Sequence, residues 1–195
     1  MDTVVQSIVN SISSGAMEKS LHNRELCNKS IGLNTTTGEG NCCVTVGVHP
    51  DIPDVFIKVV TNDDPCIQYM QAILDGELSG KLFIKVHNLI KIDKHTLILM
   101  ERLDTDEVGY QVAKDIEYNE DVSAHGICQK ELQAFHDWFD SKLRANWRID
   151  IDIHSSNVGK RKDGSYVLFD PVFRQNHFDK MRKRRRELAE FTCAK

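Results

Sequence analysis

The chain has 195 residues, enough for one full domain or two small lobes around a cleft, and its 41% hydrophobic and 28% charged content is that of an ordinary soluble globular protein. No apolar run of about eighteen residues exists to span a bilayer, and Met1-Asp2 followed by mixed polar residues lacks the basic start and apolar core of a signal peptide. A cytoplasmic protein with no membrane partner is expected. The net charge of −4 is uneven: Arg174 to Arg186 carries seven Lys/Arg against one Asp, a net of +6, which leaves −10 on the remainder.

Residues 1–31 place Val5, Ile8 and Ile12 at helical spacing before Ser14-Gly15 and polar text, which predicts one or two short amphipathic helices and shows no chemistry. From Gly32 to Pro53 the text turns to Gly, Thr, Asn and β-branched residues. This predicts a strand, a glycine-containing turn with Gly38 and Gly40, and a returning strand from Cys43 to Val48. The next strand, Val55 to Val60, has a single charge in its middle, Lys58. A lysine flanked by apolar neighbours is costly to bury unless it meets an anion, which can be a carboxylate or a phosphate. The glycines upstream favour a phosphate, because glycine lets backbone N–H groups approach one closely.

Asp63-Asp64-Pro65 then reads as a helix start, followed by Ile67, Met70, Ile73 and Leu74 on one face and ended by Asp75-Gly76. Two further strands are expected over Leu82–Ile92 and His95–Met100 around the Asp93-Lys94 turn. Seven acids against one lysine mark Asp104 to Asp121 as an acidic loop or helix edge. Leu132, Phe135, Phe139 and Leu143, with Trp138 and Trp147 close by, define an amphipathic helix whose aromatics read as core. The six cysteines form no CxxC and no Cys/His zinc spacing, and read as reduced thiols.

That helix delivers the chain to its most informative stretch, Asp150 to Val172. Asp152 precedes Asn157 by five residues, and Asp170 follows it by thirteen, so three oxygen-bearing side chains fall at the ends of short β-elements. Asp163-Gly164 supplies a turn that lets Gly159–Lys162 run out and Ser165–Phe169 run back, bringing Asn157 and Asp170 near each other. Phosphoryl transfer needs such a set: one carboxylate to orient the attacking hydroxyl, with an amide oxygen and a second carboxylate for Mg²⁺ on the nucleotide phosphates. Turn formers and helix caps are the plainer use of the same residue types.

DIHSSN followed by FDPV, with TGEGNCC and FIKV upstream, resembles the protein-kinase-like fold over roughly residues 32 to 173. More narrowly it is similar to the small early serine/threonine protein kinases of T7-group bacteriophages. The resemblance implies an α+β, compact bilobal fold with a truncated C-terminal lobe. Its parts would be an N-terminal helical extension (1–31), an N-lobe of small antiparallel sheet plus one helix (32–103), a minimal C-lobe with the catalytic loop (104–173) and a basic tail (174–195). It implies Asp152 as catalytic base, Asn157 and Asp170 as Mg²⁺ ligands, and Lys58 as the phosphate-binding lysine. Gly38 and Gly40 would cover the phosphates, Met100 would guard the adenine pocket, and Glu101 and Leu103 would offer backbone groups to adenine. His154, two residues after Asp152, is a supporting candidate that also occurs in the DxHxxN loops of aminoglycoside and choline kinases.

The expected activity is transfer of the ATP γ-phosphate to serine or threonine hydroxyls of host proteins, and of the protein itself, in a host bacterial cytoplasm. The chain departs from the family pattern at several places: Cys43 replaces a third glycine, Pro171-Val172 replace Phe-Gly, and Asp150-Ile151 replace His-Arg. No Glu lies on the helix over 65–74 to pair with Lys58, which leaves Gln68, Gln71, Asp75 or Glu77 as substitutes, and only 23 residues follow Val172. Two alternatives stand beside this reading, a small-molecule phosphotransferase and a catalytically inactive kinase-like protein that binds a host factor. The basic tail from Lys180 to Arg186 has the charge to meet nucleic acid or an acidic protein face, and equally that of a solvated helix end.

Overall fold

The computed structural model describes residues 1–18, 23–35, 44–103, 110–146 and 148–174. Gly38, Gly40, Cys43, Trp147 and the basic tail beyond Arg174 lie outside them. Two helices open the chain, α1 (Asp2–Ser13) and α2 (Arg24–Ser30). Asn23 caps α2 by accepting from Leu26 N at 3.2 Å.

A five-stranded antiparallel sheet follows, in the order β1-β2-β3-β5-β4, built from β1 (Asn34–Thr35), β2 (Thr45–Val48), β3 (Val55–Thr61), β4 (Val86–Ile92) and β5 (His95–Glu101). Strand periodicity sends alternate side chains to opposite faces. In β3 and β5, residues 55, 57, 59, 97 and 99 join an apolar cluster with Ile8, Ile12, Met17, Cys27 and Ile31 of the opening helices. Val60, Ile98 and Met100 join a second cluster with the rest of the chain. Both faces are therefore covered, which is why β5 is an apolar run and not an alternation. The period of two puts Lys58, with Phe56 and Val60, on the face away from α1 and α2.

That second face packs on α3 (Cys66–Leu74), which in turn meets α5 (Gln129–Lys142) through edge contacts of Tyr69 with Phe135 and Trp138. Leu132, Phe135, Trp138, Phe139 and Leu143 are all buried, so the aromatics of α5 are core, as the spacing predicts. Between the sheet and α5 lie α4 (Tyr110–Glu117), in the acidic segment, and a 3-10 turn over Ser123–His125.

Two small two-stranded ladders complete the described residues: β6 (Ile149–Ile151) with β9 (Val172–Arg174), and β7 (Val158–Lys160) with β8 (Tyr166–Leu168). The hairpin predicted around Asp163-Gly164 forms in the register Val158↔Leu168. Gly164 takes φ +87° there, and the Asp163 carboxylate accepts from both the backbone and the hydroxyl of Ser165.

One expected strand is shorter than predicted. Residues 82–84 do not continue β4 toward its start; they leave the sheet and bond to β8 instead. Leu168 N donates to Leu82 O at 2.7 Å and Ile84 N to Leu168 O at 3.3 Å, while the Glu131 carboxylate accepts from Leu82 N at 2.7 Å. The apolar text is the same for both roles, because a buried connector and a buried strand need similar side chains.

Candidate functional site

Lys58 reaches its anion. Its Nζ lies 2.6 Å from Oδ2 of Asp170, with the lysine side chain 7% and the carboxylate 22% exposed. Of the substitutes considered on the helix side, Gln71 donates to Asp75 and Glu77 pairs with Lys142. Burial pushes the Asp170 carboxyl up from its ordinary value, more than Lys58 holds it down, and Asp64 and Asp152 nearby add to the rise.

Asp170 is placed by the β7–β8 ladder and two backbone bonds. Phe169 N donates to Asn157 O at 3.2 Å, and Asp152 N to Pro171 O at 2.8 Å, so the two loops that carry Asp152, Asn157 and Asp170 are stitched on both sides. Asn157 is 8% exposed. Its Nδ2 donates to the carbonyl of Asp152 at 2.7 Å and to Oδ2 of Asp152 at 3.2 Å. This fixes the amide so that Oδ1 remains as its acceptor. His154 Nδ1 accepts from Ser156 N at 3.2 Å, while Nε2 lies 3.0 Å from Asn157 Nδ2 and 3.6 Å from Oδ1 of Asp152. Contact with Asp152 raises the His154 pKa despite partial burial.

Glu101 ends β5, and Met100 before it is buried on the Lys58 face. The Glu101 carboxylate is gripped by Arg161, with the shortest contact 2.6 Å, and also accepts from Lys85 N at 2.7 Å. Leu103 packs on Gly159: a Cβ added there would fall 2.7 Å from the Leu103 Cβ, a closeness only glycine permits. Gly38 and Gly40 fall outside the described residues.

Three participants carried no recognised role in the sequence. Asp64 was legible only as a helix-start residue, and it does accept from Cys66 N at 2.9 Å, but its charge is also felt by Asp170. Arg161 was legible only as part of the Gly159–Lys162 arm of the hairpin. Arg174 donates from Nη1 to Asp63 Oδ2 at 3.0 Å and from Nη2 to Asp63 O, tying β9 to the loop before α3. A cavity of about 460 Å³ lies elsewhere, beside β6, lined in part by Glu117, His136, Arg144 and Asp150. It holds none of Lys58, Asp152, Asn157 or Asp170.

No family model and no curated protein matches the chain. Among solved structures it is similar to Rad53 1-466 in complex with AMP-PNP, at 12% sequence identity and a TM-score of 0.41, over 71% of this chain. The match spans 37% of that chain. The functional reading therefore rests on the site's own residues.

Proposed function

We propose that the protein is an ATP- and Mg²⁺-dependent phosphotransferase that phosphorylates serine and threonine hydroxyls of proteins, itself included, with the nucleotide held between the sheet and the 152–170 segment. The observation that carries this is the meeting of Lys58 and Asp170 beside an Asn157 whose amide is already bonded to Asp152. Structural ion pairs do not need an adjoining amide and second carboxylate.

The residues fit a magnesium ion. Asn157 keeps an amide oxygen and Asp170 a carboxylate, a hard-oxygen pair of the kind that holds Mg²⁺ together with substrate phosphates. When bound, the ion would neutralise phosphate charge during transfer. Lys58 supplies positive charge to phosphate oxygens from a site shielded from water. Asp152 positions the acceptor hydroxyl and takes its proton late, since an aliphatic hydroxyl has too high a pKa to ionise beforehand. The Asn157 donation to Asp152 keeps that carboxylate aimed. In the narrower reading the acceptors are proteins of a bacterial host.

Calorimetry with ATP, with and without Mg²⁺, tests the nucleotide site, and γ-labelled ATP with a bacterial lysate tests the transfer. Metal-dependent binding together with phosphoserine and phosphothreonine that vanish in Asp152→Asn support the proposal. Label confined to small molecules would replace it with a small-molecule phosphotransferase; binding without any label would leave a binding protein.

A further inference from the structure

Arg161 follows β7 between Lys160 and Lys162, in the outgoing arm of the hairpin. Its guanidinium crosses to the end of β5. Nε donates to both carboxylate oxygens of Glu101, at 3.0 and 3.2 Å, and Nη2 donates to Oε1 at 2.6 Å. Nη1 donates to Lys81 O at 2.5 Å and Nη2 also to Phe83 O at 2.9 Å. The same Glu101 carboxylate accepts from Lys85 N, and Glu101 N donates to Lys85 O at 2.9 Å. One side chain thus joins three separate stretches: 81–85, the end of β5, and the start of the β7–β8 turn. Leu103, two residues past Glu101, rests on Gly159, two residues before Arg161, so both ends of the Glu101–Leu103 stretch bear on this arm of the hairpin, while Arg102 N donates to Asp54 O at 3.1 Å.

This fork geometry is specific to arginine. A lysine ammonium is a point donor and cannot serve a carboxylate and two carbonyls in one plane. Arg161 fixes the Glu101 side chain against 81–83, while Glu101 N to Lys85 O and Arg102 N to Asp54 O, at 2.9 and 3.1 Å, hold the backbone beside it. A flat heterocycle that pairs with backbone N–H and C=O groups is discriminated only when those groups stand within a fraction of an ångström of their positions.

We propose that Arg161 is a positioning residue that sets nucleobase affinity and selectivity by fixing Glu101–Leu103; this rests on the nucleotide reading above. Loss of the latch lets 101–103 shift against β7, so adenine loses its register and a competing purine is rejected less well.

The test is steady-state kinetics of the full chain with ATP and with GTP, for the unmodified protein and for Arg161→Ala, Arg161→Lys and Glu101→Gln. Arg161→Ala should raise KM for ATP at least about tenfold, the scale of one lost charge-assisted contact, and should shrink the ATP-over-GTP preference. In the same variant kcat should stay within about threefold, as for lost uniform binding. Arg161→Lys should recover only part of the preference. Glu101→Gln keeps the shape and the carbonyl contacts of Arg161, so it reads the same effect at smaller size if Arg161→Ala does not fold. A fall in kcat alone, with KM and the nucleotide preference unchanged, is what a purely structural role produces through a smaller folded fraction, and it would overturn the assignment. An unmodified protein that binds no nucleotide would overturn the nucleotide reading and this assignment with it.

Discussion

The amino group of Lys58 stands 2.6 Å from the carboxylate of Asp170 across 112 residues of sequence. Each charge is held out of bulk water, and Lys58 is the group that restrains the rise of the Asp170 pKa. Removing one partner therefore leaves the other in an environment that disfavours its charged form. Lys58→Met should cost about 1–3 kcal/mol of stability. The double variant Lys58→Met/Asp170→Asn should cost clearly less than the sum of the two single changes. Urea unfolding of the four proteins measures this, and strict additivity would show that the pair does not act as one unit.

Asp152 should matter to transfer and not to nucleotide binding. Asp152→Asn keeps an oxygen toward the Asn157 amide but removes the proton acceptor, so turnover should fall about 10²–10⁴-fold. ATP affinity by calorimetry should change little. A variant with full turnover would remove Asp152 from the mechanism.

Gly159 has no room for a side chain. A methyl there meets both the Cβ and the Cδ1 of Leu103 at 2.7 Å, and a Cβ cannot swing aside as a side-chain end can. Gly159→Ala should therefore displace the 101–103 backbone and destabilise by about 1–3 kcal/mol. Leu103→Ala added to it should give only partial relief, because its Cβ remains, whereas Leu103→Gly should give more. Thermal unfolding and ATP affinity report the two consequences, and a fully stable Gly159→Ala would contradict the packing.

His95 gives a stability dependence with a definite sign. Burial lowers its pKa below the ordinary 6.5, against the pull of Glu18. The unfolded chain then binds the proton more readily than the folded one, so this contribution is intact above about pH 6.5 and is lost as the pH falls below it. Urea midpoints at pH 8 and pH 5.5 should show weakening on acidification that is reduced in His95→Gln. An unchanged slope in that variant would assign the dependence to other groups.

Much of the candidate set was legible because its members lie close in sequence or carry a local contradiction. Asp152, Asn157 and Asp170 are spaced by a hairpin whose turn chemistry is written in Asp163-Gly164, and Lys58 stood out as a charge in apolar text. The partner of Lys58 was not legible as such, since the sequence offered an anion without saying whether it was a carboxylate or a phosphate. Arg161 was hidden for a related reason. Its role depends on Lys81, Phe83 and Glu101, and no periodicity within KRK distinguishes a guanidinium that turns inward from ammonium groups that do not. Strand text over 82–84 misled because pairing with Leu168 buries the same residues that a longer β4 would have buried. The layering of the sheet was written in β5, whose unbroken apolar run already implied two covered faces.

Those two faces carry a consequence for how the molecule is made. Ile8 and Ile12 share an apolar cluster with Leu97 and Leu99, so α1 has no finished surface to rest on until β5 has joined the sheet. Bringing α1 onto β5 closes a long loop, so that contact forms more slowly than the local pairings within the sheet. Before that step the strands present Val55, Ile57, Val59, Leu97 and Leu99 to water as one continuous apolar sheet face, a surface prone to self-association. A fragment beginning at Gly32 would keep every catalytic candidate and remain caught at that stage, sticky and short-lived.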